Sequence, residues 1–135
     1  MGLLHLEIIS PERLLVQEEV DMVEAQGPFG EFGILPGHIQ FLTTLHVGEI
    51  RYMKDGKTTY LATSGGIAEV LEDRVTFLVE SAEFADEINI DRAKDAQEKA
   101  EAMLKELTLD DKDYKVYEEA LKRALTRISV ASKAV

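Results

Sequence analysis

The sequence predicts two segregated parts: an all-β N-terminal sandwich of antiparallel strands over residues 1–85, then an antiparallel α-helical hairpin over residues 86–135. Three observations carry this. Short β-prone runs separated by turn signals fill the first part, the spacing of a sandwich or closed barrel. From Ala93 to Val135 glycine and proline are absent, and the strong helix formers Ala, Lys, Glu and Leu dominate. Between Gly27 and His38, four glycines and two prolines are interleaved with Phe29, Phe32, Ile34 and Leu35. A flexible linker would be polar, so this stretch reads as a packed turn that carries the chain from one sheet to the other.

Taken in order, Leu4, Leu6 and Ile8 alternate with His5 and Glu7, the period of a half-buried strand. Ser10-Pro11-Glu12 stops it. Leu14-Leu15-Val16 and Val20 to Ala25 are the next strands, the latter ended by Gly27-Pro28. Ile39 to Leu45 is β-prone, and Val47 to Met53 follows. Lys54-Asp55-Gly56-Lys57 is a hairpin turn, because Asp-Gly accepts the positive φ of a type I′ turn. Thr58 to Ala62 returns. Ser64-Gly65-Gly66 is expected to break the chain again. Ile67 to Leu71 and Val75 to Val79 pair across Glu72-Asp73-Arg74.

A first helix is predicted to start near Asn89 to Asp91, where a side-chain oxygen can cap the free amides. It aligns Ala93, Ala96, Ala100, Met103, Leu104 and Leu107 on one face. Thr108-Leu109-Asp110-Asp111 breaks it, with Asp110 or Asp111 as the next cap. Tyr114, Tyr117, Leu121, Ala124, Leu125 and Ile128 recur at helical spacing on the second helix. The seam is rich in alanine: Ala93, Ala96, Ala100, Ala120, Ala124 and Ala131. Alanine buries little area, and apolar burial yields only ~25 cal/mol per Å². The hairpin is therefore expected to dock marginally and to be able to open.

The charge balance excludes one large class of partner. The chain carries a net charge of −11, and residues 1–85 hold 14 acidic against 5 basic side chains. Such a surface repels phosphate backbones, so no nucleic-acid partner is expected. The last sixteen residues reverse the trend, with Lys122, Arg123, Arg127 and Lys133 and no acidic residue. A basic end on an acidic protein suits an acidic partner or an anion. It also suits the dipole at a helix C-terminus. There is no cysteine, hence no disulfide or thiolate site. The opening Met1 to Glu7 has neither a basic region nor a long apolar core, so no secretory signal is expected there. No run approaches the ~18 apolar residues of a membrane span.

Candidate chemistry is sparse. His5, His38 and His46 lack metal-ligand spacing, and no metal site is expected. There is no Gly-x-Ser-x-Gly elbow, and the carboxylates are too scattered to assign as an acid–base pair. The glycine-rich stretch lacks a following Gly-Lys-Ser/Thr, so it is not a phosphate loop. An anion site is the better candidate. Arg123 and Arg127 share a helix face, and a folded hairpin brings the end of its second helix beside Arg92 at the start of its first. Converging guanidinium groups suit phosphate, or they pair with Asp91, Asp95 or Glu119. A stand-alone adaptor and an unrecognised hydrolase using surface carboxylates are the rival classes. Activity of the isolated chain would support the second.

The run Gly27-Pro28-Phe29-Gly30-Glu31-Phe32-Gly33-Ile34-Leu35-Pro36-Gly37-His38, followed by Phe41-Leu42-Thr43, resembles the signature of the epsilon subunit of bacterial F-type ATP synthases. So do Leu6-Glu7-Ile8-Ile9-Ser10-Pro11, Ser64-Gly65-Gly66, Arg92-Ala93 and the ending Ala120 to Ile128. The resemblance spans the whole chain. It implies a non-catalytic rotor subunit of a proton-transporting enzyme. The β-domain would bind the gamma subunit and the ring of c subunits, with Phe29, Glu31, Phe32, Leu35 and His38 as interface candidates. The chain would sit on the cytoplasmic face of the bacterial plasma membrane, associated with it only through the complex.

The same resemblance implies that the helices switch between a folded hairpin and an extended form that inhibits ATP hydrolysis. There Lys122, Arg123, Arg127 and Lys133 would meet an acidic segment of a catalytic beta subunit, within the alpha/beta head. No cofactor is required, but ATP is implied as a regulatory ligand of the folded hairpin in some members. The corresponding positions are Glu83, Ile88, Asn89, Arg92, Ala93, Lys99, Arg123 and Arg127. Asn89 replaces an acidic residue of that pattern, and Lys99 replaces an arginine. Both changes weaken the expected grip on a nucleotide, since lysine offers a point charge instead of a planar fork.

Overall fold

A single strand belonging to both layers organises the β-domain. The computed structural model describes residues 2–38 and 40–134. Its strands are β1 (Leu4–Ile9), β2 (Leu14–Val20), β3 (Met22–Gly27), β4 (Gly30–Ile34), β5 (Phe41–Leu45), β6 (Gly48–Lys54), β7 (Lys57–Leu71) and β8 (Arg74–Phe84). A 3-10 turn (Ala85–Glu87) leads to helices α1 (Ile90–Glu106) and α2 (Tyr114–Ala131). The first half of β7 pairs with β6, and its second half pairs with β5. One layer is thus β4-β3-β6 with the start of β7. The other is β2-β1-β8 with the end of β7 and β5.

Alternation along each strand supplies the core between the layers. Leu4, Leu6 and Ile8 of β1 are fully buried, and so are Val23, Ile34, Ile50, Leu61, Val75 and Phe77. They form one cluster. Phe32 and Phe41 close its edge with their rings 5.9 Å apart and nearly perpendicular, the edge-to-face arrangement aromatic quadrupoles favour.

Four expectations are corrected. Ser64-Gly65-Gly66 does not end a strand. β7 runs through it, and its pairing with β8 slips by bulges at Gly65 and Gly66. A bulge bends the strand, which lets one chain segment serve two layers. The glycine-rich stretch is not only a turn. Pro28-Phe29 turn the chain, and Gly30–Ile34 is a strand paired with β3. Within this stretch the change of layer comes after Ile34, and Ile39 of the expected strand lies outside the described residues. Not every pair is antiparallel, since β1 and β8 run parallel. Asp55 and Gly56 do both take positive φ, at 52° and 78°, as a type I′ turn needs.

The fourth correction concerns the hairpin. Asn89 caps α1 as expected, its side chain accepting from the Arg92 amide at 3.0 Å. Neither Asp110 nor Asp111 caps α2. Asp113 holds that position without a side-chain bond, and the Asp111 carboxylate accepts from the Thr108 amide at 2.8 Å. In the seam Ala93, Ala100 and Ala124 are buried, whereas Ala96 is exposed. Ala131 packs against the sheet instead, with Ala62, Ile88 and Val130.

Gly66 is the tightest point of the bend. A Cβ added there would lie 2.0 Å from the Leu78 carbonyl oxygen, a backbone atom with nowhere to go. Gly66→Ala is expected to destabilise the β-domain by ~3 kcal/mol, the cost of overpacking without relief. Urea unfolding followed by circular dichroism measures it, with the open-space variant Gly2→Ala expected to match wild type.

Candidate functional site

The hairpin touches the β-domain almost only through the end of α2. Val130 is fully buried and packs with Ala62 of β7, Ile88 and Ala131, flanked by Tyr60 and Ala85. Two of the four buried side chains are alanines, so the docked apolar area is modest. Ion pairs flank it. Arg127 donates from Nε to Glu83 Oε1 at 2.7 Å and from Nη2 to Oε2 at 3.4 Å. Lys133 pairs with Glu49 and lies over the Tyr60 ring, 5.0 Å from its centroid. Glu83 is fixed by β8, where it pairs with Ala62 across the ladder.

The exit from the β-domain is held separately. Arg13, in the β1–β2 turn, grips Glu87 with two hydrogen bonds of 2.7 and 3.1 Å. Glu87 also accepts from the Phe84 amide at 3.1 Å. The Arg13 bond and then the Phe84 amide hold the Glu87 carboxyl below the usual carboxylate range. The chain is thus clamped up to Glu87, and Ile88-Asn89 link that clamp to α1.

The anion-site candidates are only partly brought together. Glu83, Arg123 and Arg127 line a cleft with Ser64 and Ser81, of about 50 Å³. Ligand pockets for drug-sized molecules run to ~300–1,000 Å³, so this cleft is far smaller than a nucleotide. Arg92, Ala93 and Lys99 do not line it. Ile88 is buried in the docking cluster, and Asn89 is occupied as the α1 cap. Arg127 is neutralised by Glu83, not by Asp91, Asp95 or Glu119. Arg123 makes no ion pair among the described residues, while Lys122 meets Glu119 at 3.5 Å within its own helix. No group of metal-ligating side chains occurs among the described residues.

The interface candidates separate into two kinds. Phe29 is fully exposed at the β3–β4 turn, and Leu35 is largely exposed. Phe32 instead packs on the core, and the His38 ring lies 5.1 Å from Phe41. Glu31 is held by Arg51. A surface that sequence reasoning missed is the outer face of the other layer. Leu14, Ile9, Leu78, Ile67 and Thr44 stand opposite one another across β2, β1, β8, β7 and β5. Leu42, Ile67 and Leu78 are each about half exposed or more. Between Pro11 and Gly65 this face sinks into an apolar groove of about 610 Å³. The signal was present as apolar residues at both parities of β1 and β7, but only the register aligns them.

Arg51 is the most connected side chain of the first layer. Its Nε and Nη2 donate to Glu24 at 3.0 and 2.9 Å, and its Nη1 donates to Glu49 at 2.9 Å. The Glu24 bond holds that carboxyl below its ordinary value of 4.5. It also helps push Arg51 upward. A carboxyl depressed in the fold contributes stability above its unfolded value, and that contribution is lost as pH falls through the folded value. The urea midpoint is therefore expected to fall as pH drops below about 4.5. Arg51→Met should flatten that dependence, read from urea titrations at stepped pH.

Residues 3–85 match the family described as ATP synthase, Delta/Epsilon chain, beta-sandwich domain, and residues 86–132 match its long alpha-helix domain. The ATP synthase epsilon chain of Geotalea daltonii is 52% identical over 130 residues, covering 96% of this chain and 94% of that one. That of Geobacter sulfurreducens is 51% identical, covering 97% and 95%. Among solved structures, a chain of the Euglena gracilis mitochondrial ATP synthase (OSCP/F1/c-ring) superposes with a TM-score of 0.83 at 25% identity, covering 98% of this chain and 82% of that one. A chain of the Tetrahymena thermophila mitochondrial ATP synthase central stalk/c-ring shares the fold, with a TM-score of 0.59 at 13% identity and 98% coverage of both. The chain belongs to the ATP synthase delta/epsilon family.

Proposed function

We propose that this chain is a non-catalytic central-stalk subunit of a proton-transporting ATP synthase, and that its hairpin regulates hydrolysis. The observation that carries the reading is the footprint of the hairpin. The hairpin is held by one cluster of four buried side chains and two ion pairs, made by the end of α2 and the residues around it. An element with so few buried contacts sits at the low-stability end of a fold. The cations a partner would meet, Arg127 and Lys133, are tied to Glu83 and Glu49 while the hairpin is docked. Undocking frees them to join Lys122 and Arg123 in meeting an acidic segment of a catalytic beta subunit in the alpha/beta head. Folded and inhibitory states are then mutually exclusive.

The β-domain supplies the fixed end. Its outer apolar face with the groove beside Pro11 suits a gamma-type stalk partner, because a continuous exposed apolar surface marks an interaction site. The exposed Phe29 and Leu35 suit contact with the c-ring side. No helix among the described residues is long and apolar enough to cross a membrane, which fits peripheral attachment through the complex, on the cytoplasmic face in a bacterium.

ATP is proposed as a regulatory ligand that favours the docked hairpin. Arg123, exposed and without an ion pair among the described residues, is the group best placed to receive a phosphate. A nucleotide would have to open the Glu83–Arg127 pair and widen the cleft. Only a ligand with different affinity for the two states shifts their balance.

Deleting residues 86–135 is expected to leave the β-domain folded and to raise ATP hydrolysis of the reconstituted enzyme by about fivefold or more. Unchanged hydrolysis would remove the inhibitory role. In a separate titration of the isolated chain, ATP should raise the melting temperature of wild type more than that of Arg92→Ala or Arg123→Ala. Equal shifts in all three would remove the nucleotide site.

A further inference from the structure

A row of charges crosses the outer face of the first layer and ends on Lys133, just past the end of α2. Glu31 of β4 accepts from Arg51 Nη2 on β6. Glu24 of β3 takes two bonds from the same guanidinium. Glu49 of β6 accepts from Arg51 Nη1 with Oε2 and from Lys133 with Oε1. Gln26 steadies the far end, its Nε2 donating to Glu31 Oε2 at 3.3 Å. Tyr60, whose ring lies under Lys133, is the cross-strand partner of Arg51.

The row carries excess negative charge, which Lys133 partly offsets. Three carboxylates and one guanidinium leave two negative charges, and Lys133 neutralises one of them. Lys133 is therefore held by the field of the whole cluster, not by Glu49 alone. The Glu49 side chain is only 14% exposed, so solvent screens its part of the row weakly. Taking Glu31 away from Arg51 removes one negative charge from that field. It also leaves Arg51 with fewer acceptors and draws Glu49 towards the guanidinium. Both effects weaken the hold on Lys133.

We propose that this row is an electrostatic latch coupling the β3–β4 corner to the docking of the hairpin: whatever pulls Glu31 from Arg51 loosens the last turn of α2 from the sheet. The coupling is reciprocal, as any equilibrium coupling must be, so undocking α2 loosens Glu31. The corner carrying the exposed Phe29 thereby senses the state of a helix end anchored on a different strand. The consequence for hydrolysis rests on the proposed undocking of the hairpin. The coupling itself does not, and it is tested in the isolated chain.

The test is a double-mutant cycle read by native-state amide hydrogen exchange. Glu31→Gln is expected to speed exchange at Val130 and Ala131 about two- to fivefold, the scale of one ion pair. In a Lys133→Met background the same change should add nothing. Exchange at the core amides of Val75 and Phe77 serves as the folding control and should stay constant in all four proteins. As the reciprocal readout, Lys133→Met should shift the carboxyl carbon resonance of Glu31. Unchanged exchange at Val130 and Ala131 in Glu31→Gln overturns the latch. So does equal acceleration with and without Lys133, or a Glu31 resonance that ignores Lys133→Met.

Discussion

The bend of β7 at Gly65-Gly66 is the constraint on which the rest depends. No Cβ fits between Gly66 and the Leu78 carbonyl, so the strand can turn there while staying paired with β8. One half of β7 then belongs to each layer. This places Ala62, before the bend, under α2, and Ile67, beyond it, on the open apolar face. Glu83 reaches the hairpin because β8 follows the same bend. A straight β7 would separate the groups that position the helices from those that shape the groove.

From that frame the chain divides by strength of attachment. The sandwich is closed by a continuous core of fully buried aliphatic and aromatic side chains. The 3-10 turn is clamped by the Arg13–Glu87 pair. Beyond Glu87, attachment is thin: one small apolar cluster, Arg127 on Glu83 and Lys133 on Glu49. Ion pairs near a surface contribute little each, and alanines contribute little area. An element held this way is suited to exchanging one set of partners for another. The cations that dock it are also those that reverse the charge of an otherwise acidic protein.

Much of this was legible in the residues. Alternation in β1, the Asp-Gly turn and the glycine-free helical tail each specify local structure by short-range physics. The Asn89 cap was legible for the same reason. What was not legible depends on partners distant in the chain. A glycine pair signals a break or a bulge equally well, and only the partner strand decides. Glu31 and Phe32 sit side by side in one glycine-rich run, yet one faces Arg51 outside and the other faces Phe41 inside. The Glu83–Arg127 pair spans 44 residues, and the parallel contact of β1 with β8 spans most of the domain. Neither has a local signature.

Under the proposed function, the hairpin is a movable element on a fixed sandwich. The chain has no cysteine, so spin labels can be placed at two introduced cysteines, Lys57→Cys at the start of β7 and Leu109→Cys at the helical tip. Pulsed electron–electron double resonance then reads their separation in the isolated chain with ATP and in the assembled enzyme without it. One distance is expected for the isolated chain and a second, distinct distance on assembly. A single, unchanged distance under both conditions would contradict a movable hairpin.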